Sequence, residues 1–427
     1  MKHKWQLFSA DILRELKQHK KLILQILIFG LFPLICAEIY CLKDAHAIGD
    51  ICLLTSYWND ELVYYKQVEA VVHYNLPQGW FGYHEAHAAM YPFAVWNPVV
   101  LIPWIIWGKL FGWNILSPIY ANIICSMIAM AMFAALVKPS ARQSAFFLGL
   151  IATFTPYTRY LLSGMPESLF MAAGIVFVAL AVSNIKEERL WKLVLLFLIA
   201  ITVTLARPYL VLLFLIPIWY ALKRSRWKGS FISLLLMTGT AGGYIIMSRL
   251  CCAPYIENSV KTSWLQIFLT DGLYAGIRYI LQELRDNIII LCDEYLKRAV
   301  KFGLFSGGLY ALVGVTALIL LFRFLWAWKK GKDKDLRILA LFQFLMTAGM
   351  VLAIFFFYKL GEGSKHLMIF ILMSLILIAL MDEKYCIMKV LAGGLCIYFF
   401  VIKALAPYDW QLPYDTGIGE EAARLEA

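Results

Sequence analysis

Long uninterrupted apolar runs are the feature of this sequence that most constrains its fold. About 20 apolar residues are enough to cross a bilayer, and such runs follow one another along the chain. Of the 427 residues, 62% are hydrophobic and only 16% are charged, which is more apolar surface than a water-soluble domain can bury. The sequence therefore predicts an all-α, multi-pass integral membrane protein. Eleven runs have the length and composition of spans: Leu22–Leu42, Ile115–Val137, Ser144–Leu162, Pro166–Asn184, Leu190–Ala206, Pro208–Leu222, Ser230–Leu250, Gly303–Trp326, Leu336–Tyr358, His366–Met381 and Tyr385–Lys403.

A twelfth apolar stretch, Pro92–Phe111, is ambiguous because it contains Pro92, Pro98 and Pro103. Prolines at this spacing break a regular helix. If the stretch does not cross, the short basic segments, which hold 23 of the 39 lysines and arginines, all lie on the side of the N-terminus. Positively charged short loops stay in the cytoplasm. The sequence thus predicts that Pro92–Phe111 is interfacial or re-entrant.

This topology gives one membrane domain, residues 1–403, and a polar C-terminal tail, residues 404–427. Two long loops, Lys43–Asn114 and Cys251–Phe302, are expected on the outer side. The second contains amphipathic stretches that suit a membrane surface. The net charge is +11, which in a membrane protein indicates anionic membrane lipid and loop orientation rather than nucleic acid as the partner.

An acidic pair, Asp60 and Glu61, follows the first span in the sequence NDELVYY. The pattern predicts a helix that begins near Asn59, with both acids at its positive end. A solvated turn and a catalytic base are equal alternatives from residue type alone. The aromatic neighbours favour the base, because desolvation strengthens a carboxylate base. Spacing does not choose between the acids, since Tyr64 and Tyr65 lie four residues beyond Asp60 and Glu61 respectively.

Other charged residues fall on the same predicted side of the membrane. Glu167 follows Pro166 at the start of a span, where the helix dipole alone would favour an acid. Arg207 lies between two spans and needs an anion, either a neighbouring acid or a phosphate. The remaining positive candidates are Arg159, Lys365 and His366. Acids and cations gathered on one membrane face suit a phosphate-linked substrate.

A histidine-containing motif, GYHEAHAAMYPF, lies in the first outer loop. His84, Glu85 and His87 could bind a divalent cation, or could simply form hydrogen bonds in a wet loop. The spacing is common, so the sequence leaves the cofactor unknown.

The order and placement of these motifs resemble those of the GT-C class of glycosyltransferases. These polytopic enzymes use polyprenyl-phosphate sugars and include protein O-mannosyltransferases and lipid A aminoarabinose transferase. The matching motifs are NDELVYY, the proline-rich YPFAVWNPVVLIPWIIWGKLFGWN, Pro166-Glu167 and Arg207-Pro208. The resemblance covers roughly residues 20–225, with weaker support near residues 362–370, where Lys365-His366 replaces the family's Arg-Tyr.

The resemblance implies a GT-C-like bundle of about 11 spans, with juxtamembrane helices in the first outer loop. It implies a bacterial plasma-membrane enzyme whose active site is on the outer face. The donor would be a polyprenyl-phosphate sugar, and the acceptor a glycan, lipid or protein. Asp60 would be the general base, with Glu61 and Glu167 positioning the acceptor or a metal, and Arg207, Lys365 and His366 holding the donor phosphate. The other implied substrate-binding residues are Tyr64, Tyr65, His84, Glu85 and Arg159.

Three other classes remain open from the sequence. A transporter or lipid flippase would carry charge in the middle of its spans, whereas the spans here are nearly free of it. A polysaccharide polymerase would use a large late loop, such as Cys251–Phe302. A non-enzymatic membrane assembly factor is the third class. The sequence does not identify the sugar, the acceptor, the linkage or any metal requirement.

Overall fold

In the residues that it describes, the computed structural model consists mainly of α-helices, with several 3-10 helices between them. It describes residues 2–56, 58–79, 91–253, 263–290, 292, 304–330, 334–357, 364–380, 386–405 and 412–414. These residues contain two isolated β-bridges and no β-strand. The all-α prediction is therefore confirmed for the described part of the chain.

Sixteen α-helices lie within the described residues. The first half forms α1 (Lys2–Leu42), α2 (Asn59–Tyr74), α3 (Ile102–Phe111), α4 (Ser117–Val137), α5 (Ala141–Thr153), α6 (Thr155–Leu161), α7 (Glu167–Lys186) and α8 (Leu190–Ala206). The second half forms α9 (Leu215–Arg224), α10 (Arg226–Cys251), α11 (Ser263–Asp271), α12 (Leu273–Ile290), α13 (Leu304–Lys330), α14 (Lys334–Phe357), α15 (Met368–Ala379) and α16 (Cys386–Leu405). The 3-10 helices are Ile48–Asp50, Leu53–Thr55, Pro98–Leu101, Pro208–Phe214 and Ser364–Leu367.

Several helices are long and apolar, as in integral membrane proteins. Among the described residues, five segments have the length and composition to cross a membrane: His19–Leu42, Ser117–Val137, Glu167–Lys186, Arg226–Cys251 and Arg337–Phe356. Shorter apolar helices are Pro98–Phe111, Leu190–Ala206, Val313–Trp326, Lys365–Ala379 and Lys389–Tyr398. Within the described residues, five of the eleven expected spans therefore appear as single helices that are long and apolar enough to cross a membrane.

Two expected spans are interrupted at or near a proline. The expected span Ser144–Leu162 is divided at Phe154 into α5 and α6. Pro156 lies two residues further on, and a proline removes a helical hydrogen bond and clashes with the preceding turn. The expected span Pro208–Leu222 begins as the 3-10 helix Pro208–Phe214 before it becomes α9.

The core of the bundle is formed by α7 and α15. All twelve residues of α15 are buried, as are most residues of α7. The two helices meet at Gly174, where an added Cβ would lie 2.9 Å from Cγ1 of Ile369. On its other side α7 packs against α4, which in turn packs against α1. Phe29 of α1 and Phe133 of α4 stack with their ring centroids 5.7 Å apart.

Two contacts connect segments that the sequence assigns to the outer side. Phe93 donates its N–H to the carbonyl of Cys251 at 2.6 Å, and Ala253 donates to the carbonyl of Phe93 at 2.9 Å. The two predicted outer loops therefore touch each other.

Part of the predicted polar tail is packed against the protein. Cys52 donates its N–H to the carbonyl of Pro413 at 2.7 Å, and Ile51 forms an antiparallel bridge with Tyr414. The Tyr414 hydroxyl donates to Oδ2 of Asp44 at 3.1 Å. Residues 412–414 thus join the segment that follows α1.

Candidate active site

The first turn of α2 separates the two predicted acids. The helix begins at Asn59, as the sequence predicted. Successive side chains of a helix point about 100° apart. The side chain of Asp60 is 51% exposed, whereas Glu61 is 0% exposed. The two neighbours therefore occupy different environments and cannot do the same chemistry.

Asp60 pairs with Lys365 across the bundle. Oδ2 of Asp60 lies 2.7 Å from Nζ of Lys365, whose side chain is 19% exposed. Lys365 belongs to the 3-10 helix Ser364–Leu367, which leads directly into the buried helix α15. The partly exposed pair is thus anchored on one side by a rigid element.

Arg207 and Glu167 lie deeper than this pair. Nη2 of Arg207 is 4.0 Å from Oε1 of Glu167, and each side chain is 3% exposed. Nη2 also donates to the Tyr64 hydroxyl at 2.8 Å, and the guanidinium lies 4.8 Å from the centroid of the Trp96 ring. Both carboxylate oxygens of Glu167 lack a hydrogen-bond partner among the described residues. A buried carboxylate without such bonds is costly.

Tyr64 connects α2 to Arg207. Burial raises the pKa of the Tyr64 phenol, and the positive charges of Arg207 and Lys365 oppose that rise. The phenol is therefore protonated at neutral pH. Its oxygen accepts from Arg207 while its own hydrogen remains a donor.

His366 forms the next part of the site. Nδ1 of His366 lies 2.6 Å from the Tyr209 hydroxyl. The His366 ring centroid is 4.7 Å from that of Tyr209 and 6.1 Å from that of Trp96. Because Trp96 also contacts Arg207, one indole ring adjoins both basic side chains.

Arg159 lies behind the start of α2. Its guanidinium is 3.9 Å from the centroid of the Trp58 ring, and Trp58 stacks on Tyr160 at 5.2 Å. Nε and Nη1 of this buried arginine have no hydrogen-bond partner in the described part of the chain. Stacking orients the guanidinium while leaving these N–H groups able to donate.

Glu61 points into the same buried region. Its Oε1 accepts the N–H of Gly164 at 3.1 Å. Burial raises the pKa of Glu61, while Arg159, the Ser56 hydroxyl and the Gly164 N–H act to lower it. The carboxylate of Glu61 is therefore held against the backbone at Gly164.

The structure brings together six of the predicted residues, which we call the acid–base cluster: Asp60, Tyr64, Glu167, Arg207, Lys365 and His366. Glu61 and Arg159 adjoin this cluster behind α2. Tyr65 lies apart from it, because its ring stacks on Trp113 at 5.5 Å and its carbonyl accepts from the Trp113 indole at 3.3 Å. His84 and Glu85 lie outside the described residues.

Sequence reasoning missed the roles of Trp96 and Tyr209. Tyr209 directly follows the Arg207-Pro208 motif, and Trp96 lies in the proline-rich motif, so both were close to residues already chosen. Within the described residues, no group of three or more His, Cys, Asp or Glu is arranged to hold a metal ion. A site involving His84 and Glu85 would lie beyond those residues.

Comparisons of the chain with protein-family models, with curated proteins and with solved structures found no significant match. The functional argument therefore depends on the acid–base cluster itself.

Proposed function

We propose that this protein is a membrane glycosyltransferase that moves a sugar from a polyprenyl-phosphate donor to an acceptor on the outer face of the membrane. The observation that carries the proposal is a set of buried charged groups without hydrogen-bond partners among the described residues. They are both carboxylate oxygens of Glu167, and Nε and Nη1 of Arg159. Buried polar groups are nearly always hydrogen-bonded. Charged groups that are not, at one end of an apolar bundle, suit a site where a polar ligand completes their bonding.

The membrane arrangement in this proposal has eleven crossings in a bacterial plasma membrane. Contacts between the segment after α1 and residues 412–414 support it, because α1 and α16 would then end on the same side. With the N-terminus in the cytoplasm, this requires an odd number of crossings. α2 and α3, which have 16 and 10 residues, would be juxtamembrane helices, since ten residues span only about 15 Å.

The donor phosphate would lie between Arg207 and Lys365. Tyr64 and Trp96 already orient the guanidinium of Arg207, and such preorganised cations bind phosphate through charge-assisted hydrogen bonds. As the glycosidic bond to phosphate breaks, negative charge grows on the leaving oxygen. The two cations stabilise that charge in the transition state. His366, bonded to Tyr209, would border the same phosphate.

Asp60 would act as the general base once Lys365 turns to the phosphate. In the structure Lys365 donates a hydrogen bond to the Asp60 carboxylate. Movement of this one lysine to the phosphate would therefore both bind the donor and free Asp60 to accept a proton. The acceptor hydroxyl gives its proton to Asp60 while its oxygen bonds to the anomeric carbon. The bond from that carbon to the phosphate oxygen breaks, and its electron pair leaves with the polyprenyl phosphate. Glu167 would position the acceptor, which is a glycan, lipid or protein.

A transporter or flippase for an anionic lipid is the second candidate. Broken helices favour it, because transporters build binding sites at such breaks. The chain interrupts its helices at Phe154 and at Pro208–Phe214. This candidate uses the same cations to bind a phosphate but makes and breaks no covalent bond, so product analysis separates the two.

The test is transfer from a radiolabelled polyprenyl-phosphate sugar by the protein in nanodiscs, with cell-envelope lipid and glycan as acceptors. We expect labelled acceptor together with free polyprenyl phosphate, and a loss of about 10²–10⁴ in rate for Asp60→Asn. The matched control is Glu69→Gln on the same helix, whose carboxylate pairs with Lys66 at 2.9 Å.

Three outcomes would change the proposal. Near-normal turnover by Asp60→Asn together with inactive Glu61→Gln would make Glu61 the base. Normal turnover by both variants would remove the acid pair from the chemistry. Lipid movement without any sugar transfer would select the transporter.

A further inference from the structure

The turn between α6 and α7 is held from several sides. Nδ2 of Asn122 in α4 donates to the Ser163 carbonyl at 2.8 Å, and Oδ1 of Asn122 accepts from the Trp104 indole of α3 at 3.0 Å. Within the turn, the Ser163 hydroxyl donates to the Tyr160 carbonyl at 2.7 Å and accepts the Met165 N–H at 3.2 Å. These hydrogen bonds hold the turn independently of its contact with α2.

α2 contacts this turn through Glu61 and Gly164. The Glu61 carboxylate accepts the buried N–H of Gly164. A Cβ added at Gly164 would lie 3.2 Å from Cβ of Glu61 and 3.2 Å from Cδ1 of Leu53. Glycine is thus what allows the two backbones to come so close.

Two residues of the acid–base cluster lie on either side of this contact. Asp60 immediately precedes Glu61, and Glu167 follows Gly164 by three residues at the start of α7. Any movement between Glu61 and Gly164 changes where Asp60 stands relative to Glu167 and Lys365. Such displacements of about 1 Å are enough to slow a positioned reaction.

We propose that Glu61 is a positioning residue, whose bond to Gly164 sets the place of Asp60 against Glu167 and Lys365. It touches neither donor nor acceptor. This inference rests on the proposed function for its catalytic meaning, but its geometric part is testable without any turnover.

Arg159 strengthens the same contact. It stacks on Trp58, the residue immediately before α2, and its charge acts on Glu61. Since Arg159 belongs to α6, α6 and its turn hold both Trp58 and Glu61. The start of α2 is therefore attached at two points, one through an aromatic ring and one through a carboxylate.

The test is carbodiimide labelling of Asp60, read by mass spectrometry on the full-length protein in nanodiscs. In the wild type, Nζ of Lys365 lies 2.7 Å from the Asp60 carboxylate and should compete with the added label for the activated carboxyl group. Glu61→Leu removes the acceptor for Gly164, so we expect several-fold faster labelling of Asp60. Gly164→Ala should act in the same direction through crowding, while Glu61→Gln retains an acceptor oxygen and should stay near the wild type.

The control is Gln67→Leu, a second buried polar position on α2. Nε2 of Gln67 donates to Gln78 at 3.1 Å, well away from Gly164. In the Gln67→Leu variant, Asp60 should be labelled at the wild-type rate. Unchanged labelling in a folded Glu61→Leu protein would overturn the proposal.

Kinetics give a second measurement. Glu61→Leu should lower kcat while leaving KM for the donor unchanged, and should add nothing to the loss already caused by Asp60→Asn, because coupled residues are not additive. Full additivity in this cycle would also refute the positioning role. If labelling rises as expected but the wild type transfers no sugar, the positioning role stands and the proposed function fails.

Discussion

The two ends of the helix bundle bury charge in opposite ways. At the end away from the acid–base cluster, Lys192 is only 4% exposed, and its Nζ donates to the carbonyls of Ser183 at 3.1 Å and Glu187 at 2.9 Å. Lys186, which is exposed, also donates to the carbonyl of Val137 at 2.7 Å. These carbonyls lie at the C-terminal ends of α7 and α4, where the helix dipole favours cations.

At the cluster end, burial is equally deep but hydrogen bonding is incomplete. Arg159 is 3% exposed, yet its Nε and Nη1 lack partners in the described part of the chain. Both oxygens of Glu167 share this condition. The comparison teaches that burial alone does not mark a functional charge. A buried cation that caps a helix stabilises the fold, whereas one with unused donors suits a ligand.

The largest effect that would sharpen this comparison is on ligand binding. Arg207→Ala should weaken the binding of polyprenyl phosphate by about 1.5–3 kcal/mol, the usual value of a charged hydrogen bond, which is about 10- to 150-fold in Kd. Lys192→Met, at the opposite end, should lower Tm and leave Kd unchanged. Microscale thermophoresis in detergent measures Kd for both variants, and a thermal unfolding scan measures Tm.

Equal losses of affinity in the two variants would break the comparison. Unchanged binding by Arg207→Ala would mean that this arginine serves Glu167 alone, and the donor site would then have to be placed elsewhere.

The pH dependence of stability should have opposite signs at the two ends. Burial raises the pKa of Glu61 above its ordinary value of 4.5, so the folded state holds this proton more tightly than the unfolded state. The resulting stabilisation is complete below pH 4.5 and is lost as pH rises through the folded-state pKa. Arg159→Met should raise the pKa further and move the loss to higher pH.

Glu187 provides the opposite case. Hydrogen bonding and charge from Arg189 lower the pKa of Glu187, so its contribution is present above pH 4.5 and is lost as pH falls through the folded-state pKa. Being exposed, it should show a smaller effect than Glu61. Scans of Tm against pH for Glu61→Gln and Glu187→Gln check both signs, and equal signs would refute this part of the account.

The smallest effect concerns residues 412–414. Tyr414 stacks on His46 at 3.8 Å and donates to Asp44. Tyr414→Phe removes only the hydrogen bond and should lower the free energy of unfolding by about 1 kcal/mol. Hydrogen exchange should then quicken at residues 44–56 and remain unchanged around Lys192. Unaltered exchange at residues 44–56 would show that the Tyr414 hydrogen bond does not stabilise residues 44–56.

Local features of the site were predictable from the sequence. The start of α2 at Asn59 follows from the pattern of apolar residues and from acids in the first turn. The meeting of Glu167, Arg207 and Lys365 follows from assigning alternate ends of apolar runs to one side. These inferences need only composition and the order of elements.

Other features depend on packing that no local pattern records. Both Asp60 and Glu61 have a tyrosine four residues later, so only the contact of α2 with Gly164 decides which acid faces inward. The pairing of Asp60 with Lys365 joins residues 305 positions apart. The packing of residues 412–414 was not predicted, and the tail was described only as polar. Three residues that pack against another loop leave no periodic pattern in the sequence.

A structure determined with bound polyprenyl phosphate would locate the donor site. We expect an elongated apolar density along the bundle that ends in a phosphate between Arg207 and Lys365, with Nζ of Lys365 withdrawn from Oδ2 of Asp60. A phosphate bound at the opposite end, beside Lys192 and Lys223, or a density that leaves the acid–base cluster empty and Lys365 still paired with Asp60, would contradict this expectation.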